Sequence, residues 1–153
     1  PDGRNVIYFS DRTGEYELWT TAADGSSEPK QITKGFGGNP GEIIFSPDSK
    51  RVAVSDREQR IHVIDLATGA MDLVHTHPFA GSYDVFPNNL AFSPNGKLLV
   101  FNGLTPAFTT TVGLIDLDQK KVKYLTRPGY FGGGGAFSPD GKWLLIAADR
   151  DFG

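Results

Sequence analysis

Apolar residues in this chain come in short runs set off by clusters of Gly, Pro, Asp, Asn and Ser, which predicts strands and turns. No stretch holds a 3.6-residue hydrophobic period over the ~10 residues a helix requires. The runs recur in a fixed order of four. A first strand is predicted at 6–10, 51–55, 98–101 and 143–146, each after a Pro-Asp/Asn-Gly/Ser turn. A second follows at 15–20, 60–66 and 111–117, and a third at 30–33, 71–74 and 121–126, entered through tight turns at Asp24-Gly25, Thr68-Gly69 and Asp118-Gln119. A fourth closes the unit at 42–46, 89–93 and 135–138. Several runs are apolar on both faces, such as Val6 to Phe9 and Leu98 to Phe101. A two-layer sandwich would leave one face wet and show cleaner alternation, whereas stacked propeller blades bury both.

The turns repeat as a phrase: Ser46-Pro47-Asp48-Ser49, Ser93-Pro94-Asn95-Gly96 and Ser138-Pro139-Asp140-Gly141, with Pro1-Asp2-Gly3 as a shortened copy. Their prolines are 46, 47 and 45 residues apart, and four strands per unit of that length is the propeller signature. The expected fold is all-β: a partial β-propeller of about three four-stranded antiparallel blades plus one strand of a fourth. Residues 1–153 form one incomplete propeller, with units at about 1–46, 47–93, 94–138 and a partial 139–153. Rings close with roughly four to eight blades. The chain is therefore expected to be a piece of something larger, completed by the remaining blades of a parent protein or by a second copy.

Loop length separates the two ends of the blades. The Ser-Pro and Asp-Gly turns are short and share one face, while 34–41, 75–88, 102–110 and 127–134 are long and share the other. Long loops on a rigid scaffold are where binding is usually placed. That face carries Phe36, Phe79, Tyr83, Phe86, Phe108, Tyr130 and Phe131, the candidate binding residues for a peptide or protein partner. The competing expectation is that these rings tuck into gaps between blades, since aromatics gain most from burial.

Composition narrows the functions available. A net charge of −3 with no basic block argues against nucleic acid. No apolar run approaches the ~20 residues of a membrane-spanning helix. With no Cys, disulfides and thiolate metal sites are excluded, but no compartment is chosen, and cytoplasm and periplasm both stay open.

No catalytic constellation emerges. Ser46, Ser93 and Ser138 recur with the repeat before Pro, as turn residues, and no Gly-x-Ser-x-Gly is present. His75 and His77 would share one side of a strand, yet no third ligand follows at a fixed spacing and Pro78 ends the strand, so both are expected at the loop surface and no metal is expected. His62 is expected within a strand, in blade packing. Gly132 to Gly135 lacks a phosphate-loop continuation and precedes a strand, which predicts close backbone packing near the ring axis or a flexible entry. Asp151-Phe152-Gly153 copies a kinase triplet without the other kinase elements and continues a loop. The pairs Asp11-Arg12 and Asp56-Arg57 are expected to organise loop amides and bridge blades. No cofactor is implied.

The run Tyr8 to Trp19, followed by Ala23-Asp24-Gly25 and Glu28 to Gly35, together with the Ser-Pro-Asp-Gly turns, resembles the propeller repeats of tricorn-type proteases. The broader repeat class also includes the periplasmic propeller of the Tol system and propellers attached to prolyl-oligopeptidase-like peptidases. The resemblance implies a noncatalytic segment of a large serine protease whose propellers filter or channel peptides. No PDZ-like or catalytic segment is recognisable here, so no catalytic residue carries over.

Overall fold

The computed structural model describes residues 3–79, 87–127 and 129–149, and among these it contains thirteen strands and no α-helix. In chain order they are β1 (Asn5–Ser10), β2 (Glu17–Ala22), β3 (Lys30–Gln31), β4 (Pro40–Phe45), β5 (Arg51–Asp56), β6 (Arg60–Asp65), β7 (Met71–Thr76), β8 (Asn88–Phe92), β9 (Leu98–Leu104), β10 (Thr110–Asp116), β11 (Lys121–Tyr124), β12 (Gly132–Phe137) and β13 (Leu144–Ala148). Each predicted run forms a strand. They assemble into antiparallel sheets of 3, 4, 4 and 2 strands: β1-β2-β3, β4-β5-β6-β7, β8-β9-β10-β11 and β12-β13. The chain is an incomplete β-propeller.

The sheets are cut one strand earlier than the repeat units. Each Ser-Pro turn joins the last strand of one unit to the first of the next, pairing Phe45 with Val52, Phe92 with Leu99 and Phe137 with Leu144. Two blades are complete, β4–β7 and β8–β11, and they are flanked by partial sheets. The innermost strands β4, β8 and β12 contact one another in series and so line the axis.

One hydrogen-bond scheme builds all three turns. Ser46 Oγ donates to Asp48 Oδ1 (2.6 Å) and accepts from Arg51 N (3.0 Å), while Asp48 Oδ1 also accepts from Lys50 N (3.1 Å). Ser93 with Asn95, and Ser138 with Asp140, repeat these contacts at 2.8 and 2.7 Å. The serine hydroxyls are thereby committed to the turn, as expected. The hydrogen bond from Ser46 leads the influences that hold the Asp48 carboxyl below its ordinary pKa. The turn's last residue has φ near +70° at Gly96 and Gly141, and Ser49 takes the same conformation at +59°.

Strand alternation distributes the apolar residues between two junctions. Val52, Val54 and Ile64 face the first sheet and bury Leu18 and Phe36 with Ile7, Phe9 and Ile32. Ala53, Ile61 and Val63 face the other way, against Leu90, Leu99, Phe101 and Ile115. Each large side chain buried this way contributes about 1.5–3 kcal/mol.

The inner strands carry β-bulges at matching positions, which free peptide groups that neighbours then satisfy. Glu42 Oε2 accepts from Leu90 N across blades (3.1 Å). Asn102, its amide oriented to suit its surroundings, spans Gly134 N and O (3.2 and 3.1 Å). Two of the β12 glycines permit close packing: a Cβ at Gly132 would lie 2.5 Å from Thr126 Cγ2, and one at Gly135 2.9 Å from Val100.

Candidate functional site

Among the described residues, depressions lie at the long-loop end of each junction between sheets. They differ in chemistry.

The first, of about 270 Å³, is lined by Asp11, Glu15, Tyr16, Gly38, Asn39 and Glu58 and is acidic. Beneath it the buried Asp56 carboxylate accepts from Arg60 N (2.9 Å) and pairs with Arg60 Nε (2.7 Å), with His62 Nε2 3.5 Å away. Burial raises this carboxyl's pKa, but His62 and Arg60 outweigh it and hold the group below its ordinary value. Asp56 thus organises a loop amide as expected. Arg60 in addition reaches Gly37 O (3.2 Å), in the loop that joins the first two sheets. Arg12 lies over the Trp19 ring at 4.5 Å.

The second depression sits between the two complete blades. It encloses about 230 Å³ and is lined by His77, Pro78, Phe79, Leu104, Thr105, Pro106, Thr111, Tyr124 and Thr126. Its polar atoms satisfy one another. His77 Nε2 is 2.6 Å from Leu104 O, which fixes the proton on that nitrogen, since a carbonyl only accepts. The Tyr124 hydroxyl stands 3.3 Å from His77 Nδ1 and 3.4 Å from His75 Nε2. Thr105 and Thr109 bond through their hydroxyls (2.7 Å), as do Thr111 and Thr126 (3.0 Å). What remains facing the cavity is apolar. Below it His75 packs on Phe101, with ring centroids 4.9 Å apart. Burial first, then the neighbouring His77, lowers the His75 pKa from 6.5 to about 4.

The lip of this cavity is an aromatic pair. Phe79 and Phe108 stand edge to face with centroids 6.0 Å apart, and Phe108 is 65% exposed. Phe108 ends a tight hairpin loop in which its N–H donates to Thr105 O (2.9 Å) and Thr105 N donates to Thr109 O (2.8 Å). Its φ is +55°, a left-handed conformation that costs a non-glycine residue about 1–2 kcal/mol. The corresponding loop between β1 and β2 has Gly14 at this slot, with Gly14 N donating to Asp11 O (2.8 Å).

The third depression, about 530 Å³, is lined by Leu125, Thr126, Arg127, Tyr130, Ile146, Ala148 and Asp149.

The candidate aromatics therefore separate. Phe79 and Phe108 come together, Tyr130 lines the third depression, and Phe131 is 56% exposed. Phe36 is not on the surface: it is 3% exposed and packs against Phe9 in the first junction, ring centroids 4.8 Å apart and tilted by 47°, where a large ring fills the gap between sheets. Tyr83 and Phe86 lie outside the described residues. The histidine pair expected at the loop surface is drawn in between the blades instead, His77 being 5% exposed, because its ring fills the gap beside Phe101 and Tyr124. Loop position singled out neither Tyr124 nor the Thr pairs. One available signal was Gly113 inside a strand: a Cβ there would come within 2.3 Å of the Phe101 ring, so the glycine marks space filled by an aromatic cluster.

No three side chains among the described residues are grouped to hold a metal ion. The serines of the repeated phrase sit at the short-turn end, away from His75 and His77. An apolar, internally satisfied cavity with an aromatic lip is equipped to bind.

These features define a segment of β-propeller, and comparison with known proteins agrees. No protein-family model matches the chain. It is 28% identical over 151 residues to the uncharacterized peptidase YuxL of Bacillus subtilis (strain 168), matching along 97% of its own length and only 21% of that relative's. Among solved structures it superposes on the tricorn protease with a TM-score of 0.77 at 15% identity, covering 92% of this chain and 14% of that one. TolB from Acinetobacter baumannii gives a TM-score of 0.66 at 22% identity, covering 99% of this chain and 38% of that one. Puromycin hydrolase gives 0.65 at 20%, covering 97% and 24%. At these identities the structural likeness establishes the fold. No helix among the described residues is long and apolar enough to cross a membrane.

Proposed function

We propose that this chain, residues 1–153 taken as one incomplete propeller, is a noncatalytic segment of a larger tricorn-like serine protease, gating substrate or docking a protein or peptide at its long-loop end. The observation that carries the docking role is the lip of the second cavity, an exposed ring at a slot where another copy has glycine. Phe79, Phe108, Tyr130 and Phe131 are the contact residues of that role. The 0.77 TM-score to the tricorn protease supports the parent, as does a relative bearing the name of a peptidase.

The relative and puromycin hydrolase favour a second reading, a gating propeller attached to a prolyl-oligopeptidase-like peptidase. A partner-binding propeller of the Tol kind needs no hydrolase region at all. Sequence flanking the chain separates the three. A PDZ-like and serine-protease region supports the first, an α/β-hydrolase region the second, and neither supports the third.

Two assays on the chain itself test its role. Fluorogenic peptides should show no turnover, and a displayed peptide library should yield binders that compete with one another. Turnover would overturn the noncatalytic assignment. A library without binders would overturn docking.

A further inference from the structure

We propose that the cavity between the two complete blades binds one uncharged, apolar side chain of a peptide, of leucine or phenylalanine size, with the Phe79–Phe108 pair closing against it. The inference rests on the docking role proposed above and names its ligand chemistry.

Four independent features point to that occupant. About 230 Å³ is below the size of a site for a drug-sized ligand and suits a single side chain. Among the described residues no Asp, Glu, Lys or Arg lines the cavity, so a charged group would enter without a partner from them and lose its hydration. The polar atoms of the wall are already paired: His77 with Leu104 O, Tyr124 with both histidines, Thr105 with Thr109 and Thr111 with Thr126. Little is left to recognise a polar ligand, and apolar contact is what the wall offers.

The fourth feature is Phe108 itself. The left-handed slot favours Gly or Asn, and its equivalents hold Gly14 and, at φ +66°, the buried Gln59; Phe108 differs from both in presenting a large ring to solvent. The loop is also stiff: Pro106 fixes one φ, and two backbone bonds and a hydroxyl pair close it. The ring gains little for the fold, being largely exposed, while its edge-to-face contact with Phe79 extends the cavity wall. A stiff loop that presents an exposed ring over an apolar cavity spends little conformational entropy on binding.

The test is a titration of the whole chain, following the methyl signals of Thr105, Thr111 and Thr126 by NMR. The probes are N-acetyl amides of phenylalanine, leucine, lysine and glutamate, an alanine hexapeptide, and the same hexapeptide carrying one phenylalanine. The phenylalanine and leucine amides should shift all three methyls, and the phenylalanine hexapeptide should bind at least tenfold tighter than the alanine one. The lysine and glutamate amides should leave the methyls unmoved. Phe108→Gly should weaken binding at least fivefold while leaving the melting temperature unchanged or raised, because the strained residue is replaced by one suited to the slot. A Phe108→Gly chain that melts lower would show that the ring serves the fold and would overturn the proposal. So would equal binding of charged and apolar amides. If peptides bind but shift only residues elsewhere, this site is wrong and docking survives. If no peptide binds, both fall.

Discussion

The same repeat position meets two fates in this molecule. Ala53 in β5 and Val100 in β9 are fully buried, while Leu145, their counterpart in β13, is 75% exposed. On the opposite face of the same strands, Val52 and Leu99 are fully buried and Val6 in β1 is 47% exposed. Residue type does not explain the contrast, since all are apolar and all lie at the second or third residue of a strand. The difference is whether a neighbouring sheet lies against them. Stability here comes from stacking sheet on sheet, so a strand's sequence can be fully propeller-like and still contribute little until its face is covered.

The sharpest way to test that contrast is to truncate one apolar side chain on each side of it. Phe101→Ala empties the middle of the second junction and should cost about 3–5 kcal/mol in denaturant melts. Leu145→Ala should fall within about 0.5 kcal/mol of the parent. A large cost at Leu145 would mean that its face is covered in solution. Light scattering would then be expected to show self-association through Trp143 and Leu145, which together present an exposed apolar surface.

Acid should act on the second junction next. His75 titrates at its ordinary 6.5 in the unfolded chain and at about 4 in the folded one, so between those values the unfolded state binds more protons. Stability is therefore unaffected above about pH 7 and falls as the pH drops from 6.5 toward 4. Urea midpoints at pH 7 and pH 5 should show the loss, and His75→Phe should reduce the pH dependence. A midpoint that rises on acidification would contradict the buried neutral ring.

Smaller effects belong to the turns. Gly96→Ala places a side chain at φ +68° and should destabilise by about 1 kcal/mol. Ser49→Gly, at the equivalent slot of another copy, should stabilise by about 0.5 kcal/mol, as relief of the left-handed strain outweighs glycine's extra chain entropy. The exposed pair of Lys120 Nζ with Asp72 Oδ1, 2.6 Å apart across the blades, should matter least, at about 0–1 kcal/mol and less in salt.

Strands and turns were legible in the sequence because they are local. Alternation, Gly, Pro and the Ser-Pro-Asp phrase placed every strand, and the shared turn explained Ser46, Ser93 and Ser138. The grouping of strands into sheets was less legible. A repeat unit can be cut at any of its four loops, and only pairing such as Phe45 with Val52 fixes where one blade ends. The site was least legible, because it is made between blades. Loop position found Phe79 and Phe108, but it could not tell an exposed Phe108 from a buried Phe36, whose fates depend on what the adjoining sheet presents. Tyr124 and His77 meet across 47 residues of chain, a distance over which no local pattern speaks.

Amide hydrogen exchange on the whole chain tests the central contrast most directly. Stacked, complete blades predict the slowest exchange at the strand-paired amides of β5, β6, β9 and β10, with β1 and β13 exchanging orders of magnitude faster. Equal protection across all four sheets would contradict the claim that stacking between complete blades holds this molecule together.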